Sequence, residues 1–179
     1  MPTEALLESL SGERLWARRG QLWARRNTAG TRRWRRLIAA PGMPRLPRDL
    51  VVVLTGRANR DLLDIALFDP RAVEGRDLYC IVLDDPHPRE VAAWGAMARR
   101  HLGGLLPARA LGRAWDALWQ QCFLHELGHV RYARRHGWGG LDGPSEEAAE
   151  AYAWSALARL HDRATCLSAW GLSYLADVT

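Results

Sequence analysis

Apolar residues along this chain change period partway. Between Leu50 and Leu83 they come as short, β-branched runs, Leu50–Thr55 and Leu78–Leu83, separated by Leu62–Phe68, where Leu63, Ile65 and Leu67 alternate with Asp64, Ala66 and Phe68. Short runs and alternation predict three strands, with Val73-Glu74-Gly75-Arg76-Asp77 as the turn before the third. From Trp115 onward the spacing is helical. Trp115, Trp119, Cys122 and Phe123 lie on one stripe that contains no Pro or Gly and continues through Glu126 and His129 to Val130 and Ala133. The cationic run Arg134-Arg135-His136 followed by Gly137 ends that helix. After the Gly-rich loop 137–143, Pro144 and Ser145 open a second helix with Ala149, Ala153, Leu157 and Leu160 on one stripe. Strands followed by helices predict an α+β fold: a small, largely antiparallel three-stranded sheet packed on these two helices. Leu78–Leu83 is the candidate edge strand.

The polar residues that interrupt these stripes carry the chemistry. His125-Glu126-Leu127-Gly128-His129 places two imidazoles one turn apart on one helix face. Both can reach a single Zn²⁺ at about 2.0–2.1 Å, with Glu126 beside the metal as a base for an activated water. Gly128 inside a helix costs about 1 kcal/mol relative to Ala, which close packing against another backbone would explain. Glu146 and Glu150 project from the apolar stripe of the second helix, whereas Glu147 points about 100° away from Glu146. Glu146 is therefore the third ligand, Glu150 the carboxylate placed to accept the free N–H of a ligating imidazole, and Glu147 a solvated residue. His136 lies two turns beyond His129 and falls out of reach. His87, between Pro86 and Pro88, reads as a loop residue.

His125-Glu-Leu-Gly-His129 followed by Glu146-Glu147-Ala148-Ala149-Glu150-Ala151-Tyr152-Ala153 resembles the gluzincin metallopeptidases, and most closely the ImmA/IrrE group. The resemblance spans residues 121–157. It implies zinc on His125, His129 and Glu146, Glu126 as general base, and a sheet whose edge strand lies above the metal to pair with an extended peptide. It departs from the family pattern at Ala148, Glu150 and Tyr152, and in lacking Leu-Leu-x-Pro after Ala153. A metzincin reading fails, because Tyr132 and Arg135 stand where that class needs Gly and His.

Composition adds less. The 25 basic residues are all Arg, and the formal net charge is +5. Nine Arg fall between positions 14 and 36, interleaved with Trp in Leu15-Trp16-Ala17-Arg18-Arg19, Leu22-Trp23-Ala24-Arg25-Arg26 and Arg32-Arg33-Trp34-Arg35-Arg36. Residues 1–40 thus read as a basic, Arg/Trp-rich helical arm on a metallopeptidase-like domain at 41–179, with the Pro-rich 41–47 between them. Such an arm could bind nucleic acid through 14–36. Docking of Leu15, Trp16, Leu22 and Trp23 onto the domain is preferred, since +5 without a DNA-binding motif is little for a nucleic-acid binder. No apolar run approaches a membrane span. Cys80, Cys122 and Cys166 read as reduced core thiols, and the N-terminus lacks a secretory leader, which predicts a cytoplasmic protein.

These readings converge on a zinc-dependent endopeptidase. The family resemblance extends that to a regulatory protease acting on one protein partner such as a transcriptional repressor. Tyr132, Tyr152 and His161 are the candidates for contacting substrate or its oxyanion. The alternative is a nucleic-acid- or partner-binding protein whose zinc site is structural or vestigial.

Overall fold

The computed structural model describes residues 15–59, 66–73, 76–102, 108–137 and 143–177. The fold is α+β. Among the described residues four strands, β1 (Gln21–Ala24), β2 (Leu50–Asn59), β3 (Ala66–Val73) and β4 (Arg76–Pro86), combine with the helices α1 (Ala29–Ile38), α2 (Pro88–Leu102), α3 (Ala108–His136), α4 (Gly143–Leu160) and α5 (Arg163–Asp177). The sheet order is β1-β2-β4-β3. β1 pairs parallel with β2, in register Gln21↔Val51, and β2 pairs parallel with β4, in register Val52↔Ile81. β3 alone runs antiparallel, against β4, from Ala66↔Leu83 to Val73↔Arg76.

The sheet is therefore mixed and four-stranded, not three-stranded and largely antiparallel. The physical sign lies in the runs themselves. Leu50–Leu54 and Leu78–Leu83 are apolar without interruption because both sheet faces are covered, as parallel strands require. Leu50, Val52, Leu54, Tyr79, Ile81 and Leu83 face the main core with Trp34, Leu37 and the stripe of α3. Val51, Val53, Leu78, Cys80 and Val82 face the other way, onto Leu15, with Trp16 and Trp23 partly buried against them. The expected edge strand Leu78–Leu83 is thus central. The edges are β1 and β3. Of the expected strand Leu62–Phe68, residues 62–65 lie outside the described residues, and β3 begins at Ala66.

The expected helical arm is also corrected. Residues 1–14 of it lie outside the described residues; Leu15 and Trp16 are helical, and up to residue 40 the chain then forms a turn, a strand hydrogen-bonded into the sheet and a ten-residue helix whose Trp34 is buried. The segment docks as expected for Leu15, Trp16, Leu22 and Trp23, but Leu22 and Trp23 do so from β1, with Leu22 facing the main core and Trp23 the opposite face. The Pro-rich stretch is no boundary. It carries the chain from α1 back to β2, and Met43 and Leu46 pack on the core. Much of the positive charge is held locally: Arg33 and Arg36 meet Asp116, Arg33 lies 3.5 Å over the Trp119 ring, and Arg18 and Arg19 cover Trp23 and Trp16. Among the described residues no helix is long and apolar enough to cross a membrane.

Candidate metal centre

α3 and α4 carry the site. α3 runs unbroken for 29 residues, long enough to bury Trp115, Trp119 and Phe123 against the sheet while its middle turns meet α4. Gly137, at φ 76°, follows its last turn as the left-handed residue that a side chain would disfavour. Gly128 is where the helices come closest. A Cβ added there would stand 2.6 Å from Ala149 Cα and 2.9 Å from its carbonyl oxygen, so only glycine admits this crossing. The close approach brings the first turn of α4 over the two histidines.

There His125, His129 and Glu146 converge. The two Nε2 atoms are 3.1 Å apart, His125 Nε2 is 3.2 Å from Glu146 Oε2, and His129 Nε2 is 3.5 Å from Glu146 Oε1. A tetrahedral ion with bonds of about 2.0–2.1 Å holds its ligand atoms ~3.3–3.4 Å apart. The three separations fit that figure. The chemistry of the donor set fits as well. His125 Nδ1 meets Glu150 Oε2 at 3.1 Å, a contact in which Nδ1–H donates to the carboxylate, so that in the neutral ring Nε2 presents its lone pair. His129 Nδ1 meets Ser145 Oγ at 2.9 Å. Two imidazole nitrogens and a carboxylate thus converge, each residue with one atom to offer a metal ion. Glu147 is exposed on the neighbouring face of α4, as its helical offset predicts.

The electrostatics separate the two histidines. Burial works to lower the His125 pKa, but hydrogen bonding to Glu150 and the charges of Glu126, Glu150 and Glu146 outweigh it, and the net shift is upward. His129, 2 % exposed, is held below its ordinary value by burial and by His125, with Glu146 opposing. Glu150 is lowered by its bond to His125, against burial, with help from Trp154 and Gln121. Glu126 is half-buried, one residue from His125 and close enough to act on its charge. Cys122, one turn before Glu126, is pushed up to about 12 by burial and by Glu126, which leaves it a neutral, inert thiol.

The edge strand that reaches this site is β3, whose Phe68 stacks on the His129 ring at 5.9 Å. The oxyanion candidates have other partners. Tyr132 leans on His136, with ring centroids 4.6 Å apart, and Tyr152 lies under the Arg131 guanidinium at 4.7 Å. His161 does not belong to the site. It sits past the far end of α4, about 20 Å along the helix from Glu146, where its Nε2 meets Gln120 Oε1 at 2.6 Å. His136 is exposed beyond reach, and His87 is a loop residue whose Nδ1 accepts from the Arg89 N–H. Four contributors were not foreseen: Ser145, Gln121, Trp154 and Phe68. Trp154 had a visible signal, standing one helical turn after Glu150. Ser145 had a fainter one, as the residue before the ligand in the first turn of α4. Phe68 had none, because nothing local places β3 over α3.

Comparison of this chain with protein-family models, with curated proteins and with solved structures gives no match.

Proposed function

We propose that this protein is a zinc-dependent metallopeptidase with a gluzincin-type centre, His125, His129 and Glu146 holding the metal. The observation that carries the reading is the convergence of His125 Nε2, His129 Nε2 and the two Glu146 carboxylate oxygens, with contacts of 3.1–3.5 Å that suit the ligand spacing of one tetrahedral ion. Zinc in such a position supplies a water acidified to a pKa of about 7 and an electrophile for a carbonyl oxygen. Glu126 takes the proton of the attacking water and delivers it to the leaving amine. Glu150 and Ser145 orient the imidazoles through their Nδ1 atoms. β3, an edge strand among the described residues that meets His129 through Phe68, is the rail along which an extended peptide would pair. The substrate is then a protein or peptide, and a single regulatory partner such as a repressor is the form the family resemblance suggests. The reading is that of a cytoplasmic enzyme.

Elemental mass spectrometry on purified protein tests the metal. One zinc per chain is expected for wild type and for Glu147→Ala, with loss in Glu146→Ala. No zinc in any form, even after reconstitution, would overturn the proposal. Glu126→Gln separates binding from catalysis: it should keep zinc and lose peptide hydrolysis. The alternative, nucleic-acid or partner binding through the Arg-rich segment, predicts binding to a duplex that falls steeply with salt. Truncating residues 1–40 is not a usable test, since it removes β1 and the buried Trp34 from the fold.

A further inference from the structure

We propose that a cavity at the carboxyl ends of the parallel strands binds a small organic molecule with a flat apolar body and a cationic N–H donor, an aryl amidine or amine in chemical class, with Asp85 as its acceptor. The inference is independent of the metal centre and of the peptidase reading.

Parallel strands deliver their carboxyl ends to one side of a sheet, and ligands of open α/β sheets bind in the crevice there. Here the three parallel strands all lead into a cavity of about 530 Å³, within the range of small-molecule sites. The chain leaving β1 brings Thr28 and Gly30 to it, β2 brings Gly56 and Ala58, β4 brings Asp85, and Trp119 of α3 forms one wall. The pairing of β2 with β4 is irregular at the same place. Leu54 opposes Leu83, yet Ala58 opposes Asp85, so four steps of β2 face two of β4. A bulge of that kind bends the strand, and bulges are common beside functional sites.

Asp85 is the polar group that the fold leaves incomplete. It is 9 % exposed; its Oδ2 accepts from the Thr28 hydroxyl, while its Oδ1 is buried without a hydrogen-bond partner. Burial raises its pKa, against the Thr28 hydrogen bond and with Asp84 adding to the rise. Neighbouring Asp84 has donors on both oxygens. A buried carboxylate oxygen without a donor costs free energy and is rare in folded proteins, so a donor supplied by a ligand has something to gain here. Gly30 admits the carboxylate: a Cβ there would stand 2.1 Å from Asp85 Cγ.

The remaining wall decides the charge and shape of the ligand. Arg33, the cation in that wall, is already paired with Asp116 at 2.7 Å and lies 3.5 Å over the Trp119 ring. A carboxylate or phosphate would therefore meet the Asp85 charge while Arg33 is engaged elsewhere. Pro86, Pro88, Val91 and Trp119 offer apolar surface to a planar body.

Titration of the full chain followed by ¹H–¹⁵N spectroscopy tests this, with benzamidine as the cationic probe and benzoate as its anionic counterpart of similar shape. Benzamidine should shift the backbone amides of Gly30, Ala58 and Val91 saturably, and benzoate at the same concentrations should leave them in place. Asp85→Asn should weaken benzamidine about tenfold or more, the scale of a hydrogen bond to a charged group. Ala58→Trp, at an exposed position on the cavity wall, should abolish the shifts at Gly30 and Val91. Amides that benzamidine leaves unmoved, equal shifts with benzoate, or wild-type affinity in Asp85→Asn would overturn the inference. Should Asp85→Asn not fold, Ala58→Trp decides, since unchanged benzamidine binding in that variant would overturn it as well.

Discussion

Two polar clusters sit inside this molecule, and they differ in whether the protein answers its own charges. At the carboxyl end of the central strands, Asp84 is 3 % exposed and fully attended. Thr55 Oγ donates to Oδ1 at 2.6 Å, and Arg57 at 3.0 Å and Asn59 at 3.4 Å donate to Oδ2. Both Asp84 oxygens thus have donors from the protein. At the α3–α4 crossing the outer nitrogens and Glu150 have partners of their own, while the Nε2 atoms of His125 and His129 and the Glu146 carboxylate converge on one another. The informative feature is this convergence of two imidazoles and a half-exposed carboxylate on one point.

The comparison can be broken most sharply by exchanging lesions. Glu146→Ala should lower zinc affinity by more than the 10–100-fold typical of outer partners while leaving metal-free stability nearly unchanged, since the Glu146 side chain is 48 % exposed. Glu126→Gln should cut peptide hydrolysis about 10²–10⁴-fold with zinc retained. Equal hydrolysis by wild type and Glu126→Gln would remove that residue from the chemistry. Asp84→Ala should do the opposite of Glu146→Ala: a loss of about 1–3 kcal/mol in chemical denaturation, from donors left unmatched, with the zinc content of the folded fraction unchanged. Its cost stays in that range because Arg57 is 38 % exposed and water can take over its guanidinium.

Gly128→Ala comes next. Its Cβ would meet Ala149 backbone, which cannot rotate away. Overpacking of about 1–3 kcal/mol outweighs the gain of about 1 kcal/mol in helix propensity, and zinc should weaken too, as Glu146 is pushed off the histidines. An alanine variant as stable as wild type would show that the helices do not need this approach.

The smallest effect uses His161, a half-buried imidazole with a protein partner. Its pKa is lowered by burial, with Asp162 and Asp116 opposing. A lowered folded-state value means the stabilising contribution is present above the unfolded value of about 6.5 and is lost as pH falls through the folded one. His125 has the opposite sign in metal-free protein, its contribution being present below the unfolded value and lost as pH rises through the folded one. The unfolding midpoint of metal-free wild type should therefore drop toward pH 5, and His161→Gln should flatten that drop. Identical pH slopes in the two proteins would show that His161 is not kept neutral by the fold.

Much of the site was legible because it is helical and local. Spacing alone put His125 and His129 on one face, chose Glu146 over Glu147, gave Glu150 its place against an imidazole, and marked Gly128 as a close contact. What was missed depended on contacts between distant segments. Leu22-Trp23 read as helix from its repeat with Leu15-Trp16, and tertiary pairing with Val52 and Val53 made it a strand. Leu78–Leu83 read as an edge, although its unbroken apolar run already marked burial on both faces. His161 entered the list of candidates only as an imidazole without a position.

On its own, then, the sequence determined the chemistry of each helix face, since an α-helix repeats every 3.6 residues whatever surrounds it. It determined that α3 ends at Gly137 and that a carboxylate-bearing helix follows. Strand order, the antiparallel edge at β3 and the stacking of Phe68 on His129 were decided only in three dimensions. A strand's own residues record that it is buried, and on which faces, but its neighbours are chosen by backbone hydrogen bonds that every residue type can make.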